Sequence, residues 1–425
     1  MSKMSAVRGY AKLSAVLLVV SASLALSACG GGDSGSSGKA VSSVPPAPKT
    51  GCGSVPSTKP KDPDGVLASL GKQYQAGYSG YSTPILKSAW TNWKPSHPGP
   101  YTVGIQWASV TNDFQRRSVE HMKAELEKSP MIKKVILQTT GNNLDVGQEI
   151  AQLNQLIAKK PDIVILEPLT ADSFAPQIKR LADQNIPTIM AGDAFVEGNK
   201  DTVSILQNAY AGLATNTAYL MRMLNGKGNV VYFHALASTG VERTSFAGFK
   251  DALKRCPNVK LAGELYGDFT AINGKSEFLK YLATHPEPFD AVAETSNTSP
   301  GVLSALQQTG RPIVPAMMNG ANAGSLSYWS QHKDTYRSVG YLYGGEGSAD
   351  AISEVALRML DGQGIKLTDV TGAPKTITNE NVDQYAPKDP VPVFTPTDAP
   401  TPKNSFLSPE YIAGLFARPR DLPNQ

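Results

Sequence analysis

Apolar residues recur along the middle of the chain in two alternating rhythms. Short aliphatic and β-branched runs stand at Thr102–Trp107, Lys134–Gln138, Ile163–Leu166 and Thr188–Ala191. Four more follow at Val230–Phe233, Leu261–Tyr266, Ala291–Ala293 and Ile313–Met317. Between the runs, apolar residues return every three or four positions: Val146, Ile150, Leu153 and Ile157; Phe174, Ile178 and Leu181; Leu213, Thr217, Leu220 and Leu224; Phe246, Phe249 and Leu253. The first rhythm predicts buried strands and the second predicts helices with one apolar face. Strand–helix alternation with short links predicts parallel sheets with helices on both faces. The expected class is α/β, with two doubly wound parallel-sheet lobes. A closed eight-stranded (β/α) barrel is the alternative. The long stretch Asp193–Gln207, between the fourth strand and the next helix, fits a barrel poorly.

The ends break both rhythms. The chain opens with Lys3, Arg8 and Lys12, then an apolar stretch from Ala15 to Leu26, then Leu26-Ser27-Ala28-Cys29. A charged start, a short apolar run and small residues before a cysteine predict an export signal over residues 1–28. The run is too short to span a bilayer. Its ending resembles the bacterial lipobox, which implies acylation of Cys29 and a membrane-anchored, extracytoplasmic protein. Residues 29–63 are rich in Gly, Ser, Pro and Lys and read as a flexible tether. Residues 64–100 carry Tyr74, Tyr78, Tyr81, Trp90 and Trp93 without period and read as an extension packed on the body. Residues 366–425 read as a last strand and a proline-rich tail running over the surface.

Composition narrows the function. Hydrophobic residues make up 41% and charged residues 18%, which suits a globular body. The formal charge falls from +4 to +1 on loss of residues 1–28, since Lys3, Arg8 and Lys12 leave and no acid does. No basic stripe suggests nucleic acid. Cys52 and Cys256 remain after Cys29. In an exported protein a Cys52–Cys256 bridge is expected, with two free thiols as the alternative. The five histidines, at 97, 121, 234, 285 and 332, are scattered and make no metal-ligand spacing. Gly274-Lys275-Ser276 ends like a phosphate loop, but Gly267 stands too far upstream. No metal or cofactor is expected.

The stretch Thr102-Val103-Gly104-Ile105 through Thr111-Asn112-Asp113-Phe114 resembles the first strand and loop of type I periplasmic sugar-binding proteins of the ribose-binding group. Lys160-Pro161-Asp162-Ile163-Val164-Ile165-Leu166-Glu167-Pro168 resembles their third strand, and Asn185-Ile186-Pro187-Thr188-Ile189 their fourth. Gly248-Phe249-Lys250-Asp251-Ala252-Leu253 resembles a helix of the second lobe. Ala283-Thr284-His285-Pro286 followed by Asp290-Ala291-Val292 is similar to another recurrent turn. The likeness covers residues 101–365. It implies a clamshell with a first lobe at 101–206 plus 344–365 and a second at 207–340. A ligand would lie between facing strand ends.

The resemblance also implies a ligand set. Phe114 and Phe269 match stacking positions, and Asn112 and Asp193 match hydroxyl-binding positions. Each has a plainer role: Asn112 as a helix cap, Asp193 as a turn residue, and both rings as core. Ala194 stands where the family has an arginine, and Ser245 where it has another; Arg243 is the nearest substitute, or a solvated helix charge. Asn319 before Gly320 stands where an Asp is usual, or forms a tight turn. Thr295, Ser296 and Asn297 compete for one position, and Asn297 is carried forward. Tyr343 falls at a hinge position. Trp107 walls the cleft or, more simply, fills the core. The cleft so drawn is less charged and more aromatic than a pentose site. The resemblance therefore implies a non-enzymatic, monomeric binding lipoprotein that passes a sugar-like small molecule to an ABC permease. A sensory binding protein of the same fold and an exported carbohydrate-processing enzyme are the alternatives.

Overall fold

A computed structural model describes residues 43–81 and 83–423. The predicted export signal, Cys29 and the first part of the tether lie outside the described residues. A short helix, α1 (Lys72–Gly77), precedes β1 (Tyr101–Trp107), α2 (Asp113–Lys128), β2 (Ile132–Thr139), α3 (Val146–Ala158), β3 (Ile163–Glu167), α4 (Ala175–Asp183), β4 (Thr188–Met190) and β5 (Thr202–Ile205). Then come α5 (Ala209–Met223), β6 (Gly228–His234), α6 (Gly240–Leu253), β7 (Val259–Tyr266), α7 (Ala271–Thr284), β8 (Ala291–Glu294) and α8 (Ser299–Thr309). The chain ends through β9 (Met318–Gly320), α9 (Ala323–Gln331), β10 (Gly340–Leu342), α10 (Gly345–Leu360), β11 (Asp369–Val370), β12 (Lys375–Ile377) and α11 (Pro409–Gly414).

Two open sheets result, not a closed barrel. The first runs β11-β5-β4-β3-β1-β2, with every pair parallel. Its central strand β3 is buried along its whole length, as a parallel strand covered on both faces must be. The second sheet begins as parallel β7-β6-β8. A single parallel bridge, Val292 to Ala316, carries it on toward β9. Pro315 has no N–H to give, so the ladder is interrupted there and β9 starts at Met318. β10 pairs parallel with β9, and β12 closes this edge antiparallel.

The chain crosses between the sheets at Ile205–Ala209, at Leu342–Gly345 and at Val370–Lys375. Helix α10 packs on α2 of the first lobe, and α5 on α6 of the second. Separate apolar clusters fill the lobes, one built on Val103, Ile105 and Ile163, another on Phe233, Phe278 and Trp329. The clamshell architecture is thus present in full.

Two terminal segments depart from expectation. Residues 52–63, assigned to the tether by composition, are fastened to the body. Cys52 is joined to Cys256, Arg255 Nη1 donates to Ser54 Oγ at 2.8 Å, and Arg222 Nη1 donates to the Gly53 carbonyl at 2.9 Å. The proline-rich tail does not merely lie on the surface. Leu407, Ile412, Leu415 and Phe416 enter the first lobe's core. Proline-rich composition hides these few apolar anchors.

Candidate functional site

The carboxyl ends of the parallel strands in both lobes converge beside the crossings, and that is where open α/β sheets bind ligands. Asn112 caps α2: its Oδ1 accepts the Gln115 N–H at 2.9 Å. The cap fixes the first turn of α2 and so the direction of Phe114. The Phe114 ring stacks on Tyr343 of the second crossing, with centroids 5.4 Å apart. Phe406 of the tail meets the same tyrosine edge-on at 5.1 Å.

Asp193 follows β4 on a left-handed backbone, φ 60°, after Gly192 at φ 65°. Its Oδ1 accepts the Gln207 N–H at 2.7 Å, and its Oδ2 accepts Gln207 Nε2 at 2.5 Å. The Tyr343 hydroxyl also donates to it. One carboxylate therefore ties two interlobe crossings to the first lobe. Burial pushes it up to about 7, against these three donors. Two further carboxyls at the same strand ends behave alike. Burial pushes Glu167 up to about 8, although Ala108 N–H and Gln115 donate to it. Burial raises Glu149 to about 7, against the Leu169 N–H. This end of the first lobe is polar, and its carboxyls are only partly charged near neutrality.

In the second lobe, Phe269 lies after β7 at φ 61°, and Asn297 after β8 at φ 66°. A left-handed phenylalanine is rare and costs of order 1–3 kcal/mol. Phe269 is half-buried and belongs to none of the four apolar clusters. Asn297 Oδ1 accepts Asn322 Nδ2 at 2.7 Å. Its competitor Thr295 is enclosed between Tyr232 and Glu242, whereas Ser296 stays half-buried with its hydroxyl on the Asn319 carbonyl. Thus Asp193, Phe269 and Asn297, from three strand ends, all hold left-handed backbone.

The remaining candidates sit elsewhere. Asn319 is fully enclosed: Nδ2 donates to the Glu294 carbonyl at 2.6 Å, and Oδ1 accepts Asn216 Nδ2 at 2.8 Å. It braces the sheet to α5. Trp107 is core, 1% exposed, and its indole N–H has no acceptor among the described residues. Arg243 is exposed and, among the described residues, donates to the Ser238 carbonyl alone, at 3.3 Å. Sequence reasoning passed over Gln207, Phe195 and Phe406. Gln207 directly follows the predicted crossing, and that position is its one legible signal. A Cβ at Gly240 would meet the Phe195 ring at 2.8 Å, so the lobes touch there. A narrow recess of about 20 Å3 lies at this contact, lined by Asp193, Phe195, Gln207, Val241 and Thr244, with Tyr81 from the extension. A wider groove of about 780 Å3, around His97, Pro130 and Arg418, lies at the opposite strand ends and carries no ligand argument. No His, Cys, Asp or Glu cluster among the described residues can hold a metal ion.

The buried carboxyls set a pH dependence. Glu149, Glu167, Asp193, Glu294 and Asp398 all have folded values raised by burial, to between about 7 and about 8. They bind protons more tightly folded than unfolded, so stability falls as pH rises from the ordinary carboxylate range through these values. Burial lowers His234, but Glu242 and Glu264 outweigh it and raise it overall, which acts in the same direction. Asp113, held low by the Asp398 N–H, Arg116 and Arg117 against burial, loses its contribution only on further acidification. Calorimetric melting is expected at higher temperature near about pH 5 than near about pH 8. A flat or rising Tm across that range would contradict these assignments.

Comparison with known proteins agrees with this geometry. The periplasmic binding protein domain matches residues 103–364. A xylitol-binding protein of Mycolicibacterium smegmatis is 24% identical over 250 residues, 57% of this chain and 68% of its own length. A galactofuranose-binding protein of Escherichia coli is 23% identical over 212 residues, 49% of this chain and 65% of its own length. An ABC transporter solute-binding protein from Bacillus halodurans, solved with myo-inositol bound, superposes with TM-score 0.61 at 19% identity, covering 68% of this chain and 98% of that one. Two doubly wound lobes joined by three crossings, with polar and aromatic groups at facing strand ends, and a family match over most of both lobes lead to one assignment: the chain belongs to the periplasmic binding protein family, in its type I, two-lobed form.

Proposed function

We propose that this protein captures a sugar or polyol between its lobes and delivers it to an ABC importer, from a lipid anchor at Cys29 on the extracytoplasmic face of the membrane. The observation that carries the reading is the convergence of the polar side chains of Asp193 and Asn297 with the half-buried Phe269 ring at the facing strand ends. Asp193 and Asn297 suit hydroxyls, and Phe269 suits the apolar face of a ring or carbon chain. A cleft whose carboxyls are only partly charged near neutrality suits an uncharged guest better than a cation. Relatives named for xylitol and galactofuranose, and a neighbour holding myo-inositol, support the same ligand class. The permease as partner and the anchor at Cys29 rest on the family and the lipobox-like ending.

Titration calorimetry of the mature protein against xylitol, myo-inositol, D-allose and galactofuranose tests the reading. Saturable one-site binding of at least one, with no product after long incubation, is expected. No binding across the panel would overturn it, and turnover would favour the enzyme alternative.

A further inference from the structure

The family match ends at residue 364 and begins at residue 103, yet the described chain extends well beyond both limits. The myo-inositol-bound neighbour is covered to 98% by only 68% of this chain. About a third of the chain is therefore additional to a complete two-lobe fold. Both additions make firm contacts on both lobes.

The amino-terminal addition is fixed to the second lobe through Cys52–Cys256, Ser54 and Gly53. It then crosses and binds the first lobe. Lys200 Nζ meets Asp64 at 2.9 Å, Trp90 Nε1 donates to the Asp201 carbonyl at 2.7 Å, and the Tyr81 hydroxyl donates to Asp369 at 2.8 Å. On the way it receives Asn208 Nδ2, from the first crossing, on the Gly77 and Ser79 carbonyls at 2.8 Å each.

The carboxy-terminal addition crosses in its own place. Ala323 N–H donates to the Thr397 carbonyl and Ala399 N–H to the Ala321 carbonyl, at 2.9 and 2.6 Å, which holds it to the second lobe. Three of its N–H groups then go to three acids of the first lobe. Asp398 donates to Asp113 at 2.8 Å, Thr401 to Glu346 at 3.1 Å and Asn404 to Asp350 at 2.7 Å. Arg117 pairs with both Asp113 and Glu346, and His121 with Asp350, so the acceptors are themselves held in place. Charge-assisted hydrogen bonds of this kind are stronger than neutral ones.

We propose that these two segments are paired straps that restrain the lobes, so that the ligand-free protein opens less than the two-lobe fold alone would and already populates the closed arrangement. The proposal rests on the clamshell reading. Opening by hinge motion would stretch or break strap contacts on one lobe. The straps thus turn a three-strand hinge into a five-strand one. A protein held near its binding-competent form loses less apparent affinity to the conformational equilibrium.

Spin labels at Leu144→Cys, an exposed position between β2 and α3 of the first lobe, and Ile272→Cys, an exposed position at the start of α7 in the second, report the opening by pulsed EPR. In the ligand-free parent, one short distance distribution is expected. Two releases are compared: Cys52→Ser with Cys256→Ser, and Glu346→Ala with Asp350→Ala. Each is expected to shift the distribution to longer, broader distances. If release lowers the competent fraction to about a tenth, apparent affinity for the best-binding polyol falls about tenfold. Unchanged distributions in folded variants would overturn the proposal. Hydrogen exchange on the unmutated protein guards against variants that fail to fold. The Asp398, Thr401 and Asn404 amides should be protected without ligand, and rapid exchange there would equally overturn it. The distance measurement needs no ligand, so failure of the sugar reading would show separately, as no binding by a protein whose straps still hold.

Discussion

Replacing Asp193 by Ala is expected to weaken binding of the best polyol ligand by about 1–3 kcal/mol, roughly 5- to 150-fold. Two effects add. The ligand loses a hydroxyl acceptor, and the Gln207 N–H, Gln207 Nε2 and Tyr343 hydroxyl lose their shared one. Those donors belong to two of the interlobe crossings, so closure loses its fixed point. Alanine also sits poorly at φ 60°. Asp193→Asn separates the contributions. Asn tolerates the left-handed backbone and keeps an acceptor oxygen, so it should recover part of the affinity. Calorimetry on both variants is the check. Unchanged affinity in the alanine variant would remove Asp193 from the site.

The second large effect is on stability. Cys52 and Cys256 are 204 residues apart, and a bridge of that span constrains the unfolded chain strongly. In the chain-entropy account, removing it with Cys52→Ser and Cys256→Ser costs roughly 5 kcal/mol, and residual structure in the unfolded state reduces the figure. Denaturant unfolding should show a lower midpoint with oxidised parent as reference. Equal midpoints would mean that the fixed amino-terminal segment contributes nothing to holding the body together.

The regular part of this fold was legible because parallel strands buried on both faces must be apolar throughout. Ile163–Leu166 lies within one residue of β3, and Thr102–Trp107 within one of β1. Where strands are short and polar the signal vanished. β5, reading Thr-Val-Ser-Ile, lies inside the long stretch between the fourth predicted strand and the next helix, and β10 and β12 are three residues each. Ile313–Met317 was read as a strand, but the interruption at Pro315 moves regular pairing on to Met318.

The site was legible as residue types and not as partnerships. The pattern marked Asp193, Phe269 and Asn297, which the fold sets at strained strand ends. It marked Asn319 in the same way, yet that side chain is fully used inside the second lobe. Burial and hydrogen-bond satisfaction depend on what lies across the sheet, and no local pattern encodes that. The amino-terminal strap was legible in part, since the aromatic residues of 64–100 marked it as packed on the body. The carboxy-terminal strap was illegible for a related reason: its composition is that of a solvated tail, and its anchors are a few backbone N–H groups and one ring that meet acids and a ring about three hundred residues or less away in sequence.

A crystal structure with the best-binding polyol tests the central claim most directly. The account predicts one guest enclosed between the lobes, with hydroxyls on Asp193 from the first lobe and Asn297 from the second, and carbon against Phe269. A guest touching a single lobe, or lodged in the groove at the opposite strand ends, would contradict it.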